Sequence, residues 1–82
     1  MAPTDQSTTR GQHLVAEYRG CSAAILDDVA EITELMKQAA NAAGATIVET
    51  TFHRFAPGGV SGVVVIKESH LSIHTWPTQQ YA

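Results

Sequence analysis

Between Ser22 and Ala43 the apolar residues Ile25, Leu26, Val29, Ile32, Leu35, Met36, Ala39, Ala40 and Ala43 recur at spacings of three and four. That period draws one apolar stripe along a single long helix. Ser22 or Asp27 suits its N-cap, and Asp27 and Asp28 suit the positive end of its dipole. Gly44 is a natural residue just past its end. Met36 lies on the stripe and is read as core filling.

A helix with one apolar stripe needs a surface to cover, and the rest of the chain supplies strands. Gly11 to Tyr18 (GQHLVAEY) reads as a first strand. Ala45 to Phe55, β-branched and aromatic, reads as a long second one. Pro57-Gly58-Gly59 is a turn signal. Val60 to Ile66 follows, and its unbroken aliphatic run predicts burial on both faces. His70 to Trp76 alternates Leu71, Ile73 and Thr75 against His70, Ser72, His74 and Trp76, the pattern of a half-buried strand that Pro77 ends.

The expected fold is therefore α+β: an antiparallel sheet of about four strands with one long helix on one face, ordered strand-helix-strand-strand-strand, half of a two-layer sandwich. One helix cannot cover both faces of such a sheet. The bare face must meet something, most simply a second copy, so a homodimer is expected. Size argues the same way. A domain of 82 residues buries only about 60% of its unfolded surface.

Charge and composition exclude several classes. The net charge is -3, and Arg10, Arg19, Lys37, Arg54 and Lys67 are scattered, so no basic patch favours nucleic acid. Val63 to Ile66 is too short to span a bilayer, and the polar start, Met1 to Arg10, carries no apolar signal core; it reads as a disordered lead-in. A soluble cytoplasmic protein without a membrane partner is expected. Cys21 is the single cysteine, so no internal disulfide forms, and it reads as an inert buried thiol.

Four histidines raise the question of metal. His70 and His74 fall on a predicted strand, where four residues span about 13 Å, too far for two ligands of one zinc ion. His13 and His53 fall on other predicted strands, and no metal site is expected. Gly58, Gly59 and Gly62 lack the Lys-Ser/Thr and following helix of a phosphate loop; Gly62 reads as a close backbone approach. Taken alone, Glu17 is a solvated edge residue, Ser61 a polar turn residue and Phe55 a strand-end core residue.

The stretch VSGVVVIKESHLSIHTWP, Val60 to Pro77, is more specific. It resembles the processing-site signature of the S-adenosylmethionine decarboxylases of the short bacterial and archaeal, pyruvoyl-dependent type. GQHLVAEYRGC and GATIVETTFHRFAPGGVSG are similar to that family's opening strand and to its second strand and turn. The resemblance runs from Gly11 to about Pro77.

That resemblance implies a proenzyme that cuts itself between Glu68 and Ser69. The Ser69 hydroxyl attacks the preceding carbonyl, giving an ester; elimination releases a chain ending in Glu68, and residue 69 becomes a pyruvoyl group. A serine serves because it is both nucleophile and leaving group. His74 is implied as the base for the elimination and Ser61 as an assisting hydroxyl. Strict alternation sets Ser69 and His74 on opposite faces, so this reading needs the pleat to break near Ser69. Phe55 is implied to stack on the substrate's adenine, and Glu17 to join substrate binding. The ketone takes the amine of S-adenosylmethionine and acts as an electron sink, with no metal; the product is the aminopropyl donor for spermidine.

Two departures accompany the resemblance. Relatives continue with a strand ending in a cysteine, the proposed proton donor, then a helix and a further strand, so the expected domain over 11–82 is truncated at its C-terminus. Thr78 stands where a glutamate usually holds the ribose. The alternatives are a pyruvoyl decarboxylase of arginine or ornithine, a catalytically dead dimerisation module that regulates a complete decarboxylase, and a metal-binding β-module.

Overall fold

The protein is represented by a computed structural model that describes residues 14–82. The expected lead-in over 1–10, His13 and the start of the predicted first strand lie outside the described residues.

The helical stripe folds as two helices rather than one. Helix α1 spans Ala23–Leu26 and α2 spans Val29–Ala42. Ser22 caps α1, its hydroxyl accepting from Ile25 N–H at 3.4 Å. Asp28, rather than Asp27, caps α2, its carboxylate accepting from Glu31 N–H at 3.1 Å. Asp27 is the C-cap of α1, and its carboxylate reaches away from the helices. Gly44 terminates α2 at φ 78°.

Three strands follow: β1 (Ile47–Arg54), β2 (Val60–Ile66) and β3 (His70–His74), antiparallel in the order β1-β2-β3. The sheet thus has three strands among the described residues, not four. Residues 14–18 of the predicted first strand form none, and Leu14 and Val15 stand 94% and 83% exposed. The pairing stops at a reciprocal hydrogen-bond pair between Tyr18 and Ala82 (2.7 and 3.0 Å) and a bridge from Arg19 to Tyr81. Without ladder partners beyond that point, the apolar pair alone does not make a strand.

Leu26, Ile32 and Val60 centre the core, with Val29, Met36, Phe52, Ile73 and Cys21 packed around them. Met36 and Cys21 therefore take the packing roles expected of them, whereas Ile25 and Leu35, on the same predicted stripe, stay more than 40% exposed. The core face of the sheet carries Phe52, Val60, Gly62, Val64, Leu71, Ile73 and Thr75 in cross-strand register. A Cβ on Gly62 would enter the Phe52 ring, so the close approach expected there is real. The other face carries Glu49, Thr51 and His53, then Ser61, Val63 and Val65, then His70, Ser72 and His74. No helix among the described residues covers it, and Val65 is 37% exposed, so β2 is buried on one face rather than both. No helix among the described residues is long and apolar enough to cross a membrane.

Candidate active site

The β2–β3 hairpin turns through Lys67 and Glu68 alone. Ile66 N–H donates to Ser69 O at 3.0 Å, and Ser69 N–H to Ile66 O at 3.2 Å. Neither loop residue has a positive φ, so this is not one of the primed turns that two-residue hairpins favour. Counting outward from that closed pair fixes the register, and the last pair of β3 is Ser61 opposite His74.

Their side chains meet on the open face, with Ser61 Oγ 2.8 Å from His74 Nδ1. When Nδ1 accepts from the hydroxyl, the ring carries its proton on Nε2. His53 pairs with Ser61 from the other side, so His53, Ser61 and His74 form one row across the sheet. The His53 ring meets Phe55 edge-on, centroids 4.7 Å apart and planes at 63°. Phe55 itself is 47% exposed, an open aromatic face beside the row. Beyond His74, Trp76 lies 5.3 Å from the Tyr81 ring, and Arg19 stacks over Tyr81 at 5.4 Å. Glu17 sits on this margin, 3.6 Å from Arg19. Partial burial pushes the Tyr81 phenol above its ordinary value, and its hydrogen bond to the Glu17 carboxylate adds to the rise.

Two anchors on the opposite side hold this end of the sheet. Thr75 Oγ1 donates to Leu26 O at 2.7 Å and accepts from Val60 N–H at 2.8 Å. Asp27 takes Gly59 N–H at 2.9 Å and the Arg54 guanidinium at 2.6 and 3.1 Å. The Arg54 hydrogen bonds, then the Gly59 amide, hold the Asp27 carboxyl below the usual carboxylate range. Neither anchor was visible in the sequence, because each joins residues 15 or more positions apart.

Ser69 lies at the other end of the hairpin. Five residues of extended chain separate it from His74, about 16 Å. The structure therefore brings Ser61, His74 and Phe55 to one end of the open face and leaves Glu68 and Ser69, both exposed, at the far end. β3 runs unbroken from His70 to His74, and Ser69 lies just before it, at the end of the turn. Thr78 lines a separate open groove of about 710 Å³ with Ala23, Asp27, Arg54 and Pro77, which includes neither Ser61 nor His74 nor Ser69. Among the described residues no group of three or more His, Cys, Asp or Glu converges as metal ligands would.

Comparison with known proteins points to one family. Residues 12–82 match the family model for S-adenosylmethionine decarboxylase. The chain is 64% identical over 72 residues to an S-adenosylmethionine decarboxylase proenzyme of Thermotoga petrophila, covering 88% of this chain and 55% of that one. It is 60% identical over 72 residues to the proenzyme of Caldanaerobacter subterraneus, covering 88% and 58%. The crystal structure of the adenosylmethionine decarboxylase from Aquifex aeolicus superposes with a TM-score of 0.73 at 35% identity, covering 79% of this chain and 53% of that one. The chain thus spans about half the length of the curated relatives it matches.

Proposed function

The chain belongs to the S-adenosylmethionine decarboxylase family, and from that premise we propose that it is a self-processing part of a pyruvoyl-dependent decarboxylase of S-adenosylmethionine, feeding spermidine synthesis. The observation that carries this reading is the 2.8 Å contact between Ser61 and His74 on an open sheet face, beside an exposed Phe55.

The chemistry balances on this chain's own residues and one water. Ser69 Oγ attacks the Glu68 carbonyl carbon, and its amide nitrogen leaves that carbon, so the peptide becomes an ester. A base then takes the Cα proton of residue 69, and the Cβ–Oγ bond breaks with Glu68 leaving as a carboxylate. The enamine left at 69 tautomerises to an imine, and water replaces its nitrogen, releasing ammonia and leaving a ketone. Ser69 suits this role because its residue is exposed while its backbone is pinned by both hydrogen bonds to Ile66. His74, held by Ser61 and exposed, suits the role of base. Phe55 offers its face to the adenine, and Glu17 borders the same end of the sheet. The finished pyruvoyl group supplies an electron sink for decarboxylation without a metal.

The separation of Ser69 from His74 supports a homodimer. A second copy seated on the open face supplies a further Ser61–His74 pair outside the protomer that carries Ser69. Such packing also covers the face that one helix leaves bare. The intact mass of the denatured chain tests the reading. The expected result is two pieces, residues 1–68 and a ketone-bearing 69–82, and a single uncut species from Ser69→Ala. One species from the unaltered chain after long incubation would overturn it.

A further inference from the structure

We infer that Thr75 is the positioning residue of the Ser61–His74 pair, holding those two side chains in register from the opposite face of the sheet. The inference rests on the reading of that pair as processing machinery, but half of its test does not.

Thr75 is a buried polar residue, 6% exposed. Its hydroxyl is fully used: the hydrogen goes to Leu26 O at 2.7 Å and the oxygen accepts from Val60 N–H at 2.8 Å. Its own N–H donates to Val60 O at 2.9 Å. Val60 is the residue before Ser61, and Thr75 is the residue after His74. Because side chains alternate across a strand, the inward pair Val60–Thr75 is the floor beneath the outward pair Ser61–His74.

The outward pair needs such a floor. Ser61 opposite His74 is the last register pair of β3, and beyond it the chain turns away through Pro77–Gln79. The end of a ladder frays unless something closes it. Thr75 closes it with three hydrogen bonds, one of which runs to the end of α1 and so fixes the sheet edge to the core. Threonine is suited to the position. Valine has the same shape but would leave Val60 N–H and Leu26 O buried without partners. Gly59 completes the fit, since a Cβ there would lie 2.9 Å from Thr75 O.

The test compares Thr75→Val with Thr75→Ser by two readouts. The first is nitrogen NMR of the His74 ring in a Ser69→Ala background, which stays uncut. The parent and Thr75→Ser are expected to hold Nδ1 as the acceptor and Nε2 as the protonated nitrogen, and Thr75→Val to lose that bias. The second is the rate of self-cleavage by mass in the Ser69 chain. It is expected to fall about tenfold to a hundredfold in Thr75→Val and to be restored in Thr75→Ser. A folded Thr75→Val that keeps both the bias and the rate overturns the inference, as does a Thr75→Ser as impaired as the valine variant. If Thr75→Val does not fold, Thr75→Ser decides alone: retention of bias and rate supports the role, and loss of either refutes it. If the parent chain never cleaves, the functional reading fails, and the ring spectrum still decides whether Thr75 positions His74.

Discussion

Replacing Gly62 with alanine should destabilise the protein, although the backbone there accepts an L side chain. Gly62 is not at positive φ, so an added methyl in open space would stabilise by about 0.4–1 kcal/mol through the unfolded chain. The space is not open. Phe52, its cross-strand partner, lays its ring over the position a Cβ would take. Either the ring turns out of the core cluster or β1 and β2 separate, and overpacking of this kind costs about 1–3 kcal/mol. The net loss is about 1–2 kcal/mol, which in a chain of this size lowers the melting temperature by about 5–15 °C. Circular dichroism melts and urea midpoints of Gly62→Ala measure it. The decisive comparison adds Phe52→Leu: if the ring is the obstacle, the leucine costs less in the Gly62→Ala background than in the parent. An alanine variant that melts at or above the parent, or two changes that simply add, would refute the argument.

Asp27→Asn should lower the urea midpoint at pH 7, and the difference should shrink progressively as pH falls below about 4. The Arg54 hydrogen bonds and the Gly59 amide depress the folded carboxyl's pKa, so its contribution is present above the unfolded value near 4 and is lost as pH falls through the folded one. Parallel midpoint–pH curves for the two proteins would count against the latch. His74→Ala should slow elimination by about 10²- to 10⁴-fold while leaving attack by Ser69 intact. An ester therefore accumulates, and neutral hydroxylamine should cut it between residues 68 and 69; normal cleavage without hydroxylamine would remove His74 from the role of base.

Much of this architecture is legible in residue order. Val60–Ile66 is a strand to its last residue because its aliphatic run ends in turn chemistry at both sides. The helical stripe is equally plain, but its break at Asp27 is not, since Ile25, Leu26 and Val29 keep the period across it. What ends α1 is tertiary: the carboxylate of Asp27 is drawn to Gly59 and Arg54, more than 25 residues away. Residues 14–18 of the predicted first strand form none for a related reason. Leu14 and Val15 satisfy a strand pattern, yet pattern does not supply a hydrogen-bonding neighbour. The Ser61–His74 contact was within reach. A two-residue loop at Lys67–Glu68 sets every pair by counting, and the same count places Ser69 at the far end. The residue pattern ends one strand at Ile66 and opens the next at His70, and so leaves out the Ile66–Ser69 pair from which the count starts.

The brevity of that loop has a consequence for the protein as an assembly. Before any cut, Lys67 and Glu68 tether β3 to β2 so closely that the strands re-find each other as an intramolecular event, with little closure entropy to overcome. Scission after Glu68 would remove the tether and leave residues 69–82 held only by contact: the ladder from His70 to His74, the Thr75 anchor, Cys21 N–H on Gln80 O at 3.1 Å and the Tyr18–Ala82 pair. Folding would then change its molecularity. The uncut chain carries its own third strand at a fixed local concentration, whereas the cut one keeps that strand as a bound peptide whose retention depends on dilution. A protein that matures this way must fold before it cuts, and after unfolding it has no covalent memory of which pieces belonged together.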